Sequence, residues 1–374
     1  MRNDGNIVER PGLWRHLLMA LLFFVAACSP RPGPESLIPA DPPPEAEVVR
    51  VYVATTRAPM APPAIGFSGA PAIGVSYRWF DVSIPPNPRE RGIYWRDGAP
   101  DPEHDYLIVG HGRLDRASLM ARLAQDRARL PNPETLVFVH GFNYSFPEAL
   151  LRLAKLGHEA GVETPPVLFS WPSKAGALEY VADRQEALWS RDALATLLSD
   201  LGRLNGKTLL LAHSMGSWLS MEALRTMALR GERQEVRDTD VVLIAPDIDV
   251  LVFREQLRSL GPLDRPISVL VAKDDRALAL SSALSTKRPR LGAVDVENPV
   301  VERAAREAQV QLIDISTVEP ESPLRHSRFL RLARMYQVLR NDGGTIEAVT
   351  VAGSYVLDSL GTGIVQVGTS LGAN

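Results

Sequence analysis

Apolar and polar positions follow a regular succession of two patterns along most of this chain of 374 residues. Beyond about residue 115, short apolar runs typical of buried strands are separated by stretches with apolar residues at helical spacing. Strands that alternate with helices need crossover connections, so they predict a mostly parallel central sheet with helices on both faces. The predicted fold class is therefore α/β.

These patterns also place the individual elements. The predicted strands are 48–55, 79–84, 106–109, 135–140, 166–170, 208–211, 240–245, 267–272 and 310–315. The predicted helices are 117–130, 147–159, 176–204, 217–229, 251–260, one near Leu278, and 327–339. Residues 59–74 are rich in Pro, Gly and Ala, which predicts a loop before the second strand.

The first 27 residues have the pattern of a bacterial lipoprotein signal peptide. Basic residues precede an apolar run over 17–27, which is too short to span a bilayer because spanning needs about 20 residues. The run ends in Val25-Ala-Ala-Cys28, where small residues before a cysteine resemble a lipobox and predict lipidation of Cys28. An ordinary signal peptide with a chance cysteine is the alternative. Ser29, directly after the cysteine, resembles the residue found there in lipoproteins sorted to the outer membrane. The protein is therefore predicted to be anchored in the outer membrane and to face the periplasm.

Composition divides the chain into four segments. A signal peptide over 1–27 is followed by a Pro-rich tether over 28–46, which reads as an extended link. The α/β domain occupies 47–340, and a Gly-rich tail occupies 341–374. The tail is weakly apolar and contains no Lys or Arg, so it is predicted either as a strand docked on the domain or as a mobile end.

The charge balance narrows the class of partner. The formal net charge is −3, which argues against nucleic acid as the main partner. One basic cluster, Lys287-Arg-Pro-Arg290, fits a solvated loop better than a phosphate-binding patch. The predicted partners are thus a small-molecule or lipid ester and, through Cys28, a membrane, whereas composition does not determine the oligomeric state.

The most informative motif joins a predicted strand to a predicted helix. Thr208-Leu-Leu-Leu211 has the pattern of a buried strand, and Ala212-His-Ser-Met-Gly216 then turns the chain into helix 217–229. This is the layout of a nucleophile elbow, in which a tight turn presents the Oγ of Ser214. Because a serine hydroxyl is a weak nucleophile, it needs a base and an anion-stabilising site.

The base is expected to be a histidine, since its pKa suits proton transfer near neutral pH. In α/β-hydrolases the catalytic residues follow the chain order serine, then acid, then histidine. His326 is the only histidine after Ser214. It follows the predicted strand 310–315 and is therefore the candidate base, with a capping or surface histidine as the alternative interpretation.

The third member should be an acid that holds the imidazole in one tautomer. Ligands of open α/β sheets bind beyond the carboxyl ends of the strands, so the acid should follow a strand. Asp274 and Asp275 follow strand 267–272 directly, and we predict Asp275 as the acid with Asp274 as the alternative. Asp247 and Asp249 are a second choice, with loop and helix capping as their alternative roles.

The anion site requires backbone N–H groups aimed at the developing oxyanion. One is the N–H of Met215, directly after the nucleophile. The other should come from the loop after an early strand, where Gly141 allows a sharp turn and presents the N–H of Phe142. His140 and His213 are alternative candidates for metal ligands, but no His/Asp spacing in the chain matches a metal motif. The predicted site therefore contains no metal and needs no cofactor.

Six short runs together resemble a known family. They are Val53-Ala-Thr-Thr-Arg57, Phe138-Val-His-Gly-Phe-Asn143, Phe169-Ser-Trp-Pro172, Ala212-His-Ser-Met-Gly216, Ala245-Pro-Asp-Ile-Asp249 and Asp275-Arg-Ala-Leu278. The sequence resembles bacterial α/β-hydrolases of unknown function that are related to esterase/lipase-superfamily enzymes, over roughly 48–339. The resemblance implies an α/β-hydrolase fold with Ser214, Asp275 and His326 as catalytic triad. Tyr180, Asp183 and Ser190 match a helix pattern near the site, with helix packing as their alternative role.

The sequence thus predicts a lipid-anchored serine hydrolase, most simply a carboxylesterase that works through an acyl-enzyme. An acyltransferase or amidase acting on envelope lipid or peptidoglycan would use the same residues. A non-catalytic binding lipoprotein is the alternative from a different class. Ala212 departs from the first glycine of the G-x-S-x-G motif, a change that a slightly wider turn tolerates.

Overall fold

The computed structural model describes residues 32–88, 99–176, 179–285, 287–320, 326, 328, 353–357 and 364–366. The strands are β1 (Val48–Pro59), β2 (Phe67–Ser83), β3 (Leu107–Leu114), β4 (Glu134–Val139), β5 (Val167–Ser170), β6 (Lys207–His213), β7 (Thr239–Ile244), β8 (Ile267–Val271), β9 (Val310–Asp314), β10 (Gly353–Leu357) and β11 (Ile364–Gln366). The helices are α1 (Arg116–Arg127), α2 (Phe146–Glu159), α3 (Tyr180–Trp189), α4 (Arg191–Gly202), α5 (Met215–Leu229), α6 (Arg233–Arg237), α7 (Val250–Leu260), α8 (Arg276–Leu284) and α9 (Pro299–Glu307).

The strands form one mostly parallel sheet, as the sequence predicts. Within the described residues its order is β11-β10-β9-β8-β7-β6-β4-β5-β1-β2-β3. All pairs from β10 to β1 are parallel, whereas β2, β3 and β11 join antiparallel at the two edges. Because the central strands are parallel, their carboxyl ends lie at one edge of the sheet, where α/β proteins place their ligand sites.

Both faces of the sheet are buried. Along β4, Phe138 packs into one hydrophobic cluster and its neighbour Val139 packs into the other. The first cluster includes Leu150 of α2, and the second includes Leu198 of α4 and Leu219 of α5. Successive side chains of a strand point to opposite faces, so an unbroken apolar run is required where helices cover both sides.

The segment over 59–74, predicted to be a loop, instead contains the end of β1 and the start of β2. β2 begins already at Phe67, and β1 extends to Pro59, where these two residues pair. Register shifts between Thr55 and Arg57 and between Arg57 and Pro59 accommodate the irregular pairing. The Pro/Gly/Ala composition did not predict a strand here, because this part of β2 is held by backbone pairing with β1 rather than by apolar side chains.

The predicted helix over 176–204 is in fact two helices. α3 ends and α4 begins at Ser190, whose Oγ donates to the Glu186 carbonyl and also lies 2.7 Å from Thr56 Oγ. A serine that bonds to the preceding turn competes with the regular backbone pattern and allows the chain to bend there. The short helices α6 and α9 were not predicted, and predicted helix 327–339 lies outside the described residues except for Arg328.

Two segments outside the core strands also contact the domain. In the predicted tether, residues 34–37 form a 3₁₀ turn that buries Leu37 in the first cluster, so this part is packed rather than extended. In the tail, β10 pairs parallel with β9, and β11 pairs antiparallel with β10. Of the two alternatives for the tail, the described residues correspond to the docked strand. No helix of the described residues is long and apolar enough to span a membrane.

Candidate active site

Ser214 lies at the turn between β6 and α5, at the carboxyl edge of the sheet. Its backbone has φ 53° and ψ −120°, a left-handed conformation that is strained for a residue with a side chain. The turn is held because Ser214 N donates to the Ile244 carbonyl over 2.9 Å. The side chain is largely buried, and this geometry corresponds to the predicted nucleophile elbow.

Two glycines allow the chain to pass close to this turn. A Cβ on Gly216 would lie 2.3 Å from the His140 carbonyl oxygen, so α5 can pack here only without a side chain. A Cβ on Gly141 would lie 3.0 Å from Ser214 Cβ and 2.7 Å from Nδ1 of His213. The loop after β4 therefore approaches the elbow as closely as backbone atoms permit.

The acid and the histidine are brought together from distant parts of the chain. Asp275 Oδ2 lies 2.6 Å from Nδ1 of His326, and its Oδ1 accepts from Leu278 N, which caps α8. The alternative acid, Asp274, instead accepts from Nη2 of Arg328 over 2.7 Å. The geometry thus separates the two candidates: Asp275 contacts the imidazole, whereas Asp274 contacts a neighbouring arginine.

His326 also lies against the elbow. Its ring centroid is 4.9 Å from that of His213, the residue directly before Ser214. Among the described residues, Ser214 Oγ makes no hydrogen bond. The imidazole that Asp275 contacts thus lies beside the residue that precedes Ser214 in the chain.

The electrostatics of the two neighbouring imidazoles differ. Burial alone would lower the pKa of His326, but the charge and hydrogen bond of Asp275, helped by Asp247, raise it above the ordinary value. Burial lowers the pKa of His213 well below its ordinary value, and the charge of His326 lowers it further. Consequently His326 is the imidazole of this pair that takes up a proton.

Two backbone N–H groups are free beside the elbow. Within the described residues, neither Met215 N nor Phe142 N donates a hydrogen bond to a backbone or side-chain acceptor. Met215 is the first residue of α5, where N–H groups lack partners within the helix. Phe142 lies in the loop after β4 that Gly141 brings close to Ser214. These are the two groups predicted for the oxyanion site.

The second-choice acids have structural partners. Asp249 accepts from Leu251 N at the start of α7 and pairs with Nε of Arg288 over 2.6 Å. Asp247 accepts from Tyr180 Oη and Ser281 Oγ and pairs with Nε of Arg290 over 3.1 Å. Both arginines of the basic cluster are thus neutralised by these carboxylates rather than available to a phosphate.

Two of the three residues of the helix pattern, Tyr180 and Asp183, lie beside the loop after β4. The Tyr180 ring packs edge-on against Phe142 with centroids 5.5 Å apart. Asp183 accepts from Ser173 Oγ over 2.6 Å, and burial raises the pKa of its carboxyl. Ser190 contacts Thr56 at the end of α3, which agrees with the packing role.

Sequence reasoning missed the buried polar groups behind this loop. Arg57 is fully buried in β1, and His140 stacks on Trp171 with centroids 5.0 Å apart. Asn143 has φ 62°, so the loop contains a left-handed residue. Within the described part of the chain, no group of three or more His, Cys, Asp or Glu side chains is arranged to hold a metal. The only available sequence signal was the polar Thr-Thr-Arg57 at the end of an otherwise apolar strand.

Comparison with known proteins gives one family and several distant similarities. A family described as "Alpha/beta hydrolase of unknown function (DUF900)" matches residues 115–342. An uncharacterized protein of Nostoc sp. is 29% identical over 132 residues, which cover 33% of this chain and 30% of that protein's length.

Two solved structures are similar at low identity. An esterase of Rhizomucor miehei is 13% identical, with a TM-score of 0.28, and the alignment covers 84% of this chain and 75% of that one. Carboxyl esterase 2 of Tuber melanosporum is 15% identical, with a TM-score of 0.24, and the alignment covers 79% of this chain and 74% of that one.

Proposed function

The chain belongs to the family of α/β hydrolases of unknown function that it matches over residues 115–342, and on this premise we propose that it is a serine hydrolase acting on ester bonds. The observation that carries the proposal is the 2.6 Å contact between Asp275 and Nδ1 of His326, beside the strained Ser214. Nucleophilic acyl transfer by a serine requires a base near the nucleophile and an acid that orients this base.

The proposed reaction begins with attack of Ser214 Oγ on the ester carbonyl. Nε2 of His326 accepts the serine proton, and Asp275 stabilises the imidazolium through Nδ1. The Met215 and Phe142 N–H groups stabilise the tetrahedral oxyanion. When this intermediate collapses, His326 gives its proton to the departing alcohol, which leaves an acyl-enzyme on Ser214.

The second half of the reaction restores the enzyme. His326 removes a proton from water, and the resulting hydroxide attacks the acyl carbonyl. Collapse of the second tetrahedral intermediate releases the carboxylic acid and returns the proton to Ser214. If an alcohol or amine takes the place of water, the same steps transfer the acyl group, so an acceptor assay separates hydrolysis from acyl transfer.

A fluorophosphonate probe tests the nucleophile directly. Wild-type protein should be labelled at Ser214, and Ser214→Ala should not be labelled. Ser217→Ala is the matched control, because Ser217 is also buried but its Oγ donates to the carbonyl of Ala212 in β6. Equal labelling of wild type and Ser214→Ala, or no labelling of either, contradicts the proposal.

The substrate class can be narrowed with p-nitrophenyl esters of increasing chain length. A carboxylesterase should prefer short acyl chains, whereas sharp preference for long chains would indicate a lipase. Released acid and the ester formed with an added alcohol should be measured in the same reactions, since their ratio separates hydrolysis from acyl transfer.

We also propose that Cys28, which lies outside the described residues, anchors the enzyme to a membrane of the cell envelope. The support is the lipobox-like run before this cysteine and the Ser29 that follows it. Incorporation of radioactive palmitate into wild type, and its loss together with membrane association in Cys28→Ala, would support this location. Membrane association that persists in Cys28→Ala would contradict it.

A further inference from the structure

Arg57 is a buried cation directly behind the loop that carries Phe142. Its side chain is 1% exposed, and its Nε donates to Ser170 Oγ over 2.8 Å. Nη1 donates to the carbonyls of Ser173 and Ser68, and Nη2 donates to the Tyr144 carbonyl over 2.9 Å. Hydrogen bonds from one guanidinium therefore connect the loop after β4 with the segment after β5 and with β2.

His140 links this cation to the oxyanion peptide. Its Nδ1 lies 2.9 Å from the Gly141 carbonyl, which can only accept, so Nδ1 carries the proton. The Gly141 carbonyl and the Phe142 N–H belong to one planar peptide unit. Holding the carbonyl toward His140 therefore turns the Phe142 N–H to the opposite side, where it is free to meet an oxyanion.

The contacts of Arg57 favour the same protonation of His140. Arg57 Nε donates to Ser170 Oγ, which leaves the Ser170 hydroxyl proton for Nε2 of His140, 3.1 Å away. Arg57 Nη2 lies 3.4 Å from the same Nε2 and can only donate. Both neighbours thus favour an unprotonated Nε2. Burial and the charge of Arg57 lower the pKa of His140 well below its ordinary value, so the ring is neutral.

The charge of Arg57 is balanced on the far side of Ser173. Asp183 accepts from Ser173 Oγ over 2.6 Å and from Lys174 N over 3.2 Å. Tyr144 N donates to the same Ser173 Oγ over 3.3 Å, so the backbone of Tyr144 is held at both its N–H and its carbonyl. Burial lowers the pKa of Arg57 to about 9, opposed by Asp183, which leaves the guanidinium charged at neutral pH.

We propose that Arg57 is a positioning residue that acts through His140 and Tyr144 to hold the Gly141–Phe142 peptide with its N–H available to the oxyanion. The inference rests on the proposed function, in which this N–H stabilises the tetrahedral intermediate. It adds a requirement that the triad alone does not contain: a correct His140 tautomer.

The chain offers a matched control in Arg127. Arg127 is also 1% exposed, its Nε donates to Thr135 Oγ1 over 2.8 Å, and its Nη1 and Nη2 donate to the carbonyls of Leu201 and Lys207. Its side chain contacts the first residues of β4 and β6, at the edge of the sheet opposite to the candidate site. Loss of either arginine leaves buried carbonyls unsatisfied, but only Arg57 contacts the oxyanion loop.

The kinetic experiment compares Arg57→Met with Arg127→Met, using p-nitrophenyl butyrate and enzyme titrated with the fluorophosphonate probe. Arg57→Met should lower kcat by ~10²-fold with little change in KM, as expected when one oxyanion donor is misplaced. Its affinity for butylboronic acid, which forms a tetrahedral adduct, should fall in parallel. Arg127→Met should lose thermal stability but keep its kcat per titrated site. An unchanged kcat in Arg57→Met, or equal kcat losses in both variants, overturns the proposal.

Two substitutions of His140 test the tautomer in the same assay. The amide nitrogen of an asparagine can occupy the place of Nδ1 and donate to the Gly141 carbonyl, whereas that of a glutamine corresponds to Nε2. His140→Asn should therefore retain more kcat than His140→Gln. The reverse order of activities contradicts the proposed relay.

A spectroscopic measurement keeps the test independent of activity. The ¹⁵N chemical shifts of the His140 ring should show a neutral tautomer protonated at Nδ1 in wild type and in Arg127→Met. In Arg57→Met the Nε2-protonated form should appear. An unchanged tautomer in Arg57→Met overturns the inference. The tautomers could be as expected in both proteins while the wild type shows neither labelling nor ester hydrolysis. That result would contradict the proposed function but support the coupling between Arg57 and His140.

Discussion

The carboxylate of Asp275 lies 2.6 Å from Nδ1 of His326, although the two residues are 51 positions apart in the chain. The neighbouring Asp274 contacts Arg328, two residues beyond that histidine, over 2.7 Å. Arg328 is buried and its Nε also donates to the Val318 carbonyl over 2.8 Å. Two consecutive acids thus hold two nearby basic side chains, and only one of them orients the imidazole.

Substitution of the two acids should separate these roles. Asp275→Asn should lower kcat by ~10³–10⁴-fold, because an amide in place of the carboxylate no longer fixes the required tautomer of His326 or stabilises the imidazolium. Asp274→Asn should cost about 10-fold or less, since it only loosens Arg328 beside the site. Ester hydrolysis by titrated enzyme measures both effects, and a larger loss in Asp274→Asn would make Asp274 the catalytic acid.

The acid limb of the pH–rate profile should report His326. Its pKa is raised, since the charge and hydrogen bond of Asp275 outweigh the effect of burial, so the neutral base is lost as pH falls through a value above the ordinary 6.5. The logarithm of kcat/KM should therefore decline on the acid side of that value. In Asp275→Asn the limb should move to lower pH, because the favourable charge is gone.

The same shift has a consequence for stability. A histidine with a raised folded-state pKa stabilises the fold fully at pH values below its unfolded pKa, and this contribution is lost as pH rises through the folded value. In the pH–rate profile, an acid limb that moved to higher pH in Asp275→Asn would contradict the assignment of the raised pKa to the charge of Asp275.

Two glycine substitutions, one at each end of α5, should distinguish a steric from a conformational requirement for glycine. Gly216→Ala places a Cβ 2.3 Å from the His140 carbonyl oxygen and should destabilise the protein by about 3 kcal/mol or more. Gly231→Ala meets nothing within 4 Å but has φ 83°, so it should cost only about 1 kcal/mol. Denaturant unfolding measures both, and equal losses would show that the close approach of α5 is not the determining feature.

The packed part of the predicted tether can be tested with neighbouring residues. Leu37 is 1% exposed and Ile38 is 55% exposed. Leu37→Ala should therefore destabilise the protein by ~2–5 kcal/mol, whereas Ile38→Ala should change stability by no more than about 0.5 kcal/mol. If both variants unfold at the wild-type denaturant concentration, residues 34–37 do not contribute to the core in solution.

The fold class could be predicted from the sequence because buried parallel strands require unbroken apolar runs. Leu209, Leu210 and Leu211 are all buried, with neighbours facing opposite clusters. The strand beginning at Phe67 could not be predicted in this way, since its pairing with β1 depends on backbone groups within a Pro/Gly-rich segment. The division of helix 176–204 at Ser190 likewise depends on a contact with Thr56, which is distant in sequence.

The sequence by itself determined the α/β class, the family resemblance and the set of candidate residues, because chain order and the position of each residue after a strand are properties of the sequence. The sequence ranked Asp275 above Asp274, but only the tertiary structure showed that Asp275 contacts His326 and Asp274 contacts Arg328, because adjacent residues differ in where their side chains point. Only the tertiary structure placed Arg57 behind the oxyanion loop, because that position results from the pairing of β1 with β5. The polar run Thr55-Thr56-Arg57 hints at a buried polar group, but the carbonyls that receive its hydrogen bonds are distant in the chain and only the fold identifies them.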